Sequence, residues 1–142
     1  MEEQKSKDSG GLFFIEQSIW TKMIAHCQSE QPMEACGLLS GTGGHAETIW
    51  MMENVENSPT AFAMDMEQIR RVFRQIEEKG ERLVGIYHSH PTAPPVPSSR
   101  DIEFANYPEA AYIIVSLAKR IPEIGIYHIL EKRVTPILFY IV

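Results

Sequence analysis

Cysteine is scarce: Cys27 and Cys36 are the only two in 142 residues, and no Cys-x-x-Cys pair occurs. That excludes a zinc ribbon, a thioredoxin-type redox pair and a disulfide-stapled scaffold. No apolar run approaches the ~20 residues of a membrane-spanning helix. Positive charge is short as well, with 13 Lys and Arg against 19 Asp and Glu and a net charge of −6. A chain of that sign lacks the electrostatic footprint that phosphate binding needs, which argues against nucleic acid and anionic membranes as partners. Lys119, Arg120, Lys132 and Arg133 are too few and too interrupted to make a basic stripe. The opening MEEQKSKDSGG is polar where a secretory signal has its apolar segment. These absences predict a soluble chain of a reducing compartment, the cytoplasm.

What is present is an ordinary globular balance, 44% hydrophobic and 23% charged, enough for one packed core. The length suits one domain, and no repeat or compositional break divides it. Residues 1–11 read as a disordered lead-in. Leu12 to Ile15 suggest a short strand, and apolar residues at Ile19, Met23, Ile24 and Cys27 predict a helix from about Glu16 to Gln28. Ala35 to Leu39 read as a strand ended by a Ser40–Gly44 turn, with a return strand from about Glu47 to Glu53. Met66, Ile69, Val72, Phe73 and Ile76 form an amphipathic stripe. Asp65 with Gln68 fits a capping box at its start, and Gly80 fits the position just past its end. Arg82 to His88 is a further strand candidate. Four of the nine prolines fall between Pro91 and Pro97, which bars regular structure there. A short helix should start near Ser98 or Ser99. Ala111–Leu117, Ile124–Leu130 and Thr135–Val142 complete the strands of one mixed α/β domain.

The chemistry concentrates in His88-Ser89-His90-Pro91, followed by Ser98 and Asp101. Histidines at i and i+2 on a strand project to one face with Cα atoms ~6.6 Å apart. That spacing lets both imidazoles reach one ion at zinc–nitrogen distances of ~2.0–2.1 Å. Asp101 follows a proline-rich loop able to fold back. Two histidines and one carboxylate are the composition of a catalytic zinc that keeps a position open for water. Taken singly, each piece is also ordinary: two surface histidines, a stiff loop, and a Ser98-x-x-Asp101 helix start. The helix-start and metal-ligand readings of Asp101 are compatible, since a capped helix would fix its direction toward a metal.

At these residues the chain resembles the JAMM (MPN/Mov34) zinc metalloproteases. Their signature is an upstream glutamate, His-Ser/Thr-His, a seven-residue spacer that opens with proline, serine, two residues and aspartate. His88, His90, residues 91–97, Ser98 and Asp101 match that spacing, and Glu34 before Ala35-Cys36-Gly37-Leu38-Leu39 matches the upstream glutamate. The likeness continues through Asn57-Ser58-Pro59, Phe62, the Met66 helix, Tyr107-Pro108 and Tyr112–Leu117, from about residue 12 onward.

The resemblance implies a JAMM/MPN domain over 12–142, with a mixed curved sheet flanked by helices, similar to the cytidine-deaminase fold. It implies one zinc held by His88, His90 and Asp101, with Glu34 as general base and then acid, and Ser98 as donor to the oxyanion. It implies cleavage after the C-terminal Gly-Gly of a ubiquitin-like or sulfur-carrier protein, as in the compact prokaryotic members. Three other readings are a non-catalytic MPN scaffold, a zinc hydrolase of small amides or peptides, and a nucleobase deaminase. The last needs His-x-Glu and Pro-Cys-x-x-Cys, and this chain has neither. Cys36 shares the face of Glu34 on a regular strand, as a buried small hydrophobe or as a neighbour of the metal.

Overall fold

A computed structural model describes residues 12–142, so the lead-in expected over 1–11 lies outside the described residues. In chain order the elements are β1 (Leu12–Ile15), α1 (Gln17–Ser29), β2 (Cys36–Thr42), β3 (His45–Met52), α2 (Met66–Glu78) and β4 (Arg82–His90). There follow α3 (Ser99–Glu103), β5 (Ala111–Ser116), β6 (Glu123–Leu130), β7 (Arg133–Pro136) and β8 (Leu138–Ile141). The strands form one eight-stranded sheet in the order β7-β6-β5-β4-β2-β3-β1-β8. β1 runs parallel to β3 and β8, and β4 runs parallel to β5; the other pairs are antiparallel. No described helix is long and apolar enough to cross a membrane.

The single strand expected over 135–142 is two strands, placed at opposite edges of the sheet. Pro136 offers no N–H to continue a ladder. Ile137 turns inward, buried, and donates its N–H to Ile126 O at 2.8 Å. With one residue between them, β7 and β8 lie within ~7 Å at that point, so the sheet curls until its edges meet. The first hairpin also differs from expectation. β2 continues through Ser40-Gly41-Thr42, and the turn is carried by Gly43 and Gly44, both at positive φ, where glycine has no Cβ penalty.

Two cores lie on the two faces. On the inner face, Ile19, Met23 and Cys27 of α1 meet Ile15, Leu39, Tyr87 and Val115, with Phe13, Ile126 and Ile137 arriving from both ends of the curl. On the outer face, Ile69, Val72 and Phe73 of α2 pack on Leu38, Ile86 and Tyr112. Each fully buried Leu, Ile or Met side chain contributes ~1.5–3 kcal/mol of transfer free energy. Gly37 is required by close approach: a Cβ there would meet the ring of its cross-strand neighbour Tyr87. That ring carries its hydroxyl to 2.6 Å from His26 Nδ1, tying α1 to β4. At α2 the cap is half of what Asp65 and Gln68 suggested. The Asp65 carboxylate accepts from Gln68 N, but the Gln68 side chain takes the free N–H of Glu53 instead, at the end of β3. Gly80 past the helix end has φ +74°.

Candidate active site

Strand alternation puts Ile86, His88 and His90 of β4 on the outer face, where Ile86 joins the α2 core. Tyr87 faces inward to α1. β4 lies between β2 and β5, so both histidines are buried. Asp101 is delivered to them by the proline loop, which is pinned from beneath. Ser116 Oγ donates to Ala93 O at 2.6 Å, and Tyr127 Oη donates to Pro95 O at 2.6 Å. His90 Nδ1 lies 2.8 Å from Pro94 O. The stretch Pro91–Pro97 is thus a braced arm. α3 follows, capped at Ser98: its Oγ accepts from Asp101 N, and its own N–H donates to Asp101 Oδ2. A capping box therefore aims the Asp101 carboxylate at the histidines.

The three donors converge. His88 Nε2 and His90 Nε2 are 3.2 Å apart, and Asp101 Oδ2 lies 3.2 Å from the first and 3.1 Å from the second. A tetrahedral ion with ligands at ~2.0–2.1 Å requires donors about 3.3 Å apart, so the set fits a divalent ion with three protein ligands. Donating Nδ1–H to Pro94 leaves His90 Nε2 to face the cluster, the outer-sphere orientation common for ligating histidines. Burial pushes His88 down from the usual imidazole range. Burial opposes the charge of Asp101, yet hydrogen bonds from both imidazoles hold its carboxyl well below the usual carboxylate range. His90 is also opposed by burial, but Asp101 and the Pro94 carbonyl push it up.

Glu34 joins them from the next strand. Cys36 pairs with His88, and Ala35 and Ser89 exchange hydrogen bonds: Ala35 N to Ser89 Oγ at 2.8 Å, Ser89 N to Ala35 O at 3.0 Å. Continuing that register sets Glu34 across from His90. Its side chain is buried, and burial pushes its carboxyl up to about 7. Glu34 Oε1 and His88 Nδ1 are buried with no hydrogen-bond partner among the described residues. Buried polar groups are rarely left so. Cys36 is a free buried thiol, pushed up to about 12 by burial and weakly placed on Glu53 O at 3.7 Å, which makes it a packing residue.

All five residues singled out by sequence are therefore gathered in one place, with Ser98 exposed at its rim. Beside His88 and Asp101 opens a cavity of about 520 Å³, lined by Phe62, Met64, Ile69, Phe73 and Tyr107. Phe62 stacks on the His88 ring at 4.6 Å between centroids. Ser116, Tyr127 and Asn54 were not legible as parts of the site. Their signal is only a lone polar side chain on a strand or loop, and the contacts that matter to the site, with Ala93 O, Pro95 O and Glu34 O, are to backbone carbonyls 20 or more residues away.

A family model for prokaryotic homologues of the JAB domain matches residues 16–128. The chain is 36% identical over 129 residues to the CysO-cysteine peptidase of Mycobacterium tuberculosis, covering 87% of each. It is 37% identical over 91 residues to the desampylase of Haloferax volcanii, covering 61% of this chain and 65% of that one. The solution structure of a protein from Desulfitobacterium hafniense superposes with a TM-score of 0.83 at 29% identity, over 92% of both chains. With a match that runs from the first helix into β6, and a peptidase alike over most of its length, the chain belongs to the prokaryotic JAB-domain family of JAMM-type hydrolases.

Proposed function

We propose that this chain is a cytoplasmic zinc metallopeptidase that hydrolyses the peptide or isopeptide bond after the C-terminal Gly-Gly of a ubiquitin-like or sulfur-carrier protein. The observation that carries this reading is the convergence of His88 Nε2, His90 Nε2 and Asp101 Oδ2 beside a buried glutamate whose Oε1 has no partner among the described residues. Kinship with a CysO-cysteine peptidase and a desampylase supports the substrate class. Two buried thiols that do not pair agree with a reducing compartment.

His88, His90 and Asp101 would hold one zinc ion, which supplies Lewis acidity and brings water ionisation near pH 7. Glu34, buried beside the three candidate ligands, takes a proton from the attacking water and delivers one to the leaving amine, the work of a positioned acid–base group. Ser98 Oγ already accepts from Asp101 N, so its hydroxyl proton is free to point at the carbonyl oxygen as charge develops there. The braced proline loop keeps Asp101 and Ser98 in register with the histidines. A diglycine tail suits the approach past Phe62, because glycine lets an extended backbone come close without side-chain clash.

The test is a pair of carrier–peptide fusions ending in Gly-Gly or Gly-Val before the scissile bond, read by intact mass. Cleavage of the Gly-Gly fusion alone is expected. Equal cleavage of both, or of neither alongside efficient hydrolysis of small amides, would make the chain a small-amide hydrolase instead.

A further inference from the structure

We infer that Asn54 is a positioning residue for Glu34, and that through it the wall of the substrate cavity and the general base are held by one clamp. The inference rests on Glu34 acting as the base.

Asn54 stands just past β3, half-buried, at the start of the loop that runs to Asp65. Its side-chain amide makes four hydrogen bonds, each to the main chain. Nδ2 donates to Glu34 O at 2.9 Å and to Ala61 O at 3.0 Å. Oδ1 accepts from Glu56 N at 3.0 Å and Ala63 N at 3.1 Å. Two carbonyls on one side and two N–H groups on the other fix the amide orientation, since turning it over would break all four. The other side of the Glu34 peptide is held by the same loop, because Glu34 N donates to Ser58 O at 2.9 Å. Glu34 lies just before β2 begins and outside its ladder. Its own N–H and C=O are thus bonded to the loop that carries Phe62.

That loop faces the site. Phe62 stacks on His88, and Phe62, Ala63 and Met64 line the cavity. The amide of Asn54 touches neither the cavity nor the three candidate ligands. Whatever displaces Ala61 or Ala63 also pulls on the amide that holds the Glu34 carbonyl. A glutamate misplaced by ~1 Å can cost about 100-fold in rate, so the clamp should show in turnover rather than in metal affinity.

The variants are Asn54→Ala and Asn54→Asp, each assayed as the zinc-loaded enzyme on the Gly-Gly fusion. Asn54→Ala is expected to keep wild-type zinc content, lose about 10- to 100-fold in kcat and raise KM. Asn54→Asp keeps both acceptor bonds to Glu56 N and Ala63 N but sets an oxygen against Glu34 O. It should lose kcat comparably while KM returns toward wild type, a split that a merely structural asparagine would not give. In a Glu34→Gln background, Asn54→Ala should cause little further loss. Hydrogen exchange gives a readout free of activity: the Ala63 amide, which donates to Asn54 Oδ1, should lose protection in Asn54→Ala and keep it in Asn54→Asp, while amides of β4 keep theirs in both. Wild-type kcat in both folded variants, or full protection of the Ala63 amide in Asn54→Ala, would overturn the inference. Wild-type turnover by Glu34→Gln alone would instead overturn the general-base reading.

Discussion

Two polar clusters occupy opposite ends of the β2–β4 pair. At the Ser40 end, Ser40 Oγ donates to Glu81 Oε1 at 2.7 Å and accepts from Trp50 Nε1 at 2.8 Å. Thr48 Oγ1 adds a bond to the same carboxylate at 3.0 Å. At the His88 end, three donors crowd together at 3.1–3.2 Å, and Glu34 Oε1 and His88 Nδ1 have no partner among the described residues. Both clusters set acids from outside the strands against hydrogen-bonding groups on neighbouring strands. One is satisfied and ties the β4 entry to the β2–β3 hairpin. The other leaves buried polar atoms unpaired, at ~1–3 kcal/mol each. A fold tolerates that cost where the groups serve chemistry rather than cohesion.

Exchanging metal-binding capacity is the strongest way to separate the two ends. His88→Ala with His90→Ala should abolish zinc content, measured on the purified protein, together with turnover. Equal zinc content in variant and wild type would remove the site assignment. Next in size is the pair of acids. Glu34→Gln should keep zinc and lose about 10²–10⁴-fold in turnover, the range of a positioned acid–base group. Glu81→Gln should leave kcat per folded molecule within about a factor of three, since its partners Ser40 and Thr48 lie far along the strand. If Glu34→Gln releases zinc, Glu34 is a ligand and the contrast must be redrawn. The smallest expected effect is on stability. Ser40→Ala strands the Trp50 indole N–H and should cost about 1–3 kcal/mol in denaturant unfolding, with kcat unchanged. A loss of turnover in that variant would mean that the two ends are coupled.

The uneven legibility of the molecule follows from how local each feature is. His88, His90, Ser98 and Asp101 sit within fourteen residues, and their roles follow from strand alternation and a helix cap, both short-range rules. Glu34 was readable only through its resemblance to a family pattern, because a single acid before a strand is chemically unmarked. The half-realised cap of α2 shows the limit of local rules, since Glu53 N–H competes for Gln68 and wins.

Hydrophobic periodicity, turn residues, and the His-x-His motif with the downstream Ser98-x-x-Asp101 gave on their own the element types, the single mixed domain and the three candidate ligands. Those are properties of neighbouring residues, and local sterics and spacing decide them. Only the tertiary structure decided that residues 133–142 divide between opposite edges of the sheet, because Leu138 to Val142 extend the same pattern and no local signal selects a partner strand. Only it braced the proline arm on Ser116 and Tyr127, and hung Glu34 from Asn54. Each of those contacts joins a side chain to a backbone group remote in sequence, and its free energy exists only after the sheet has curled and brought the two together.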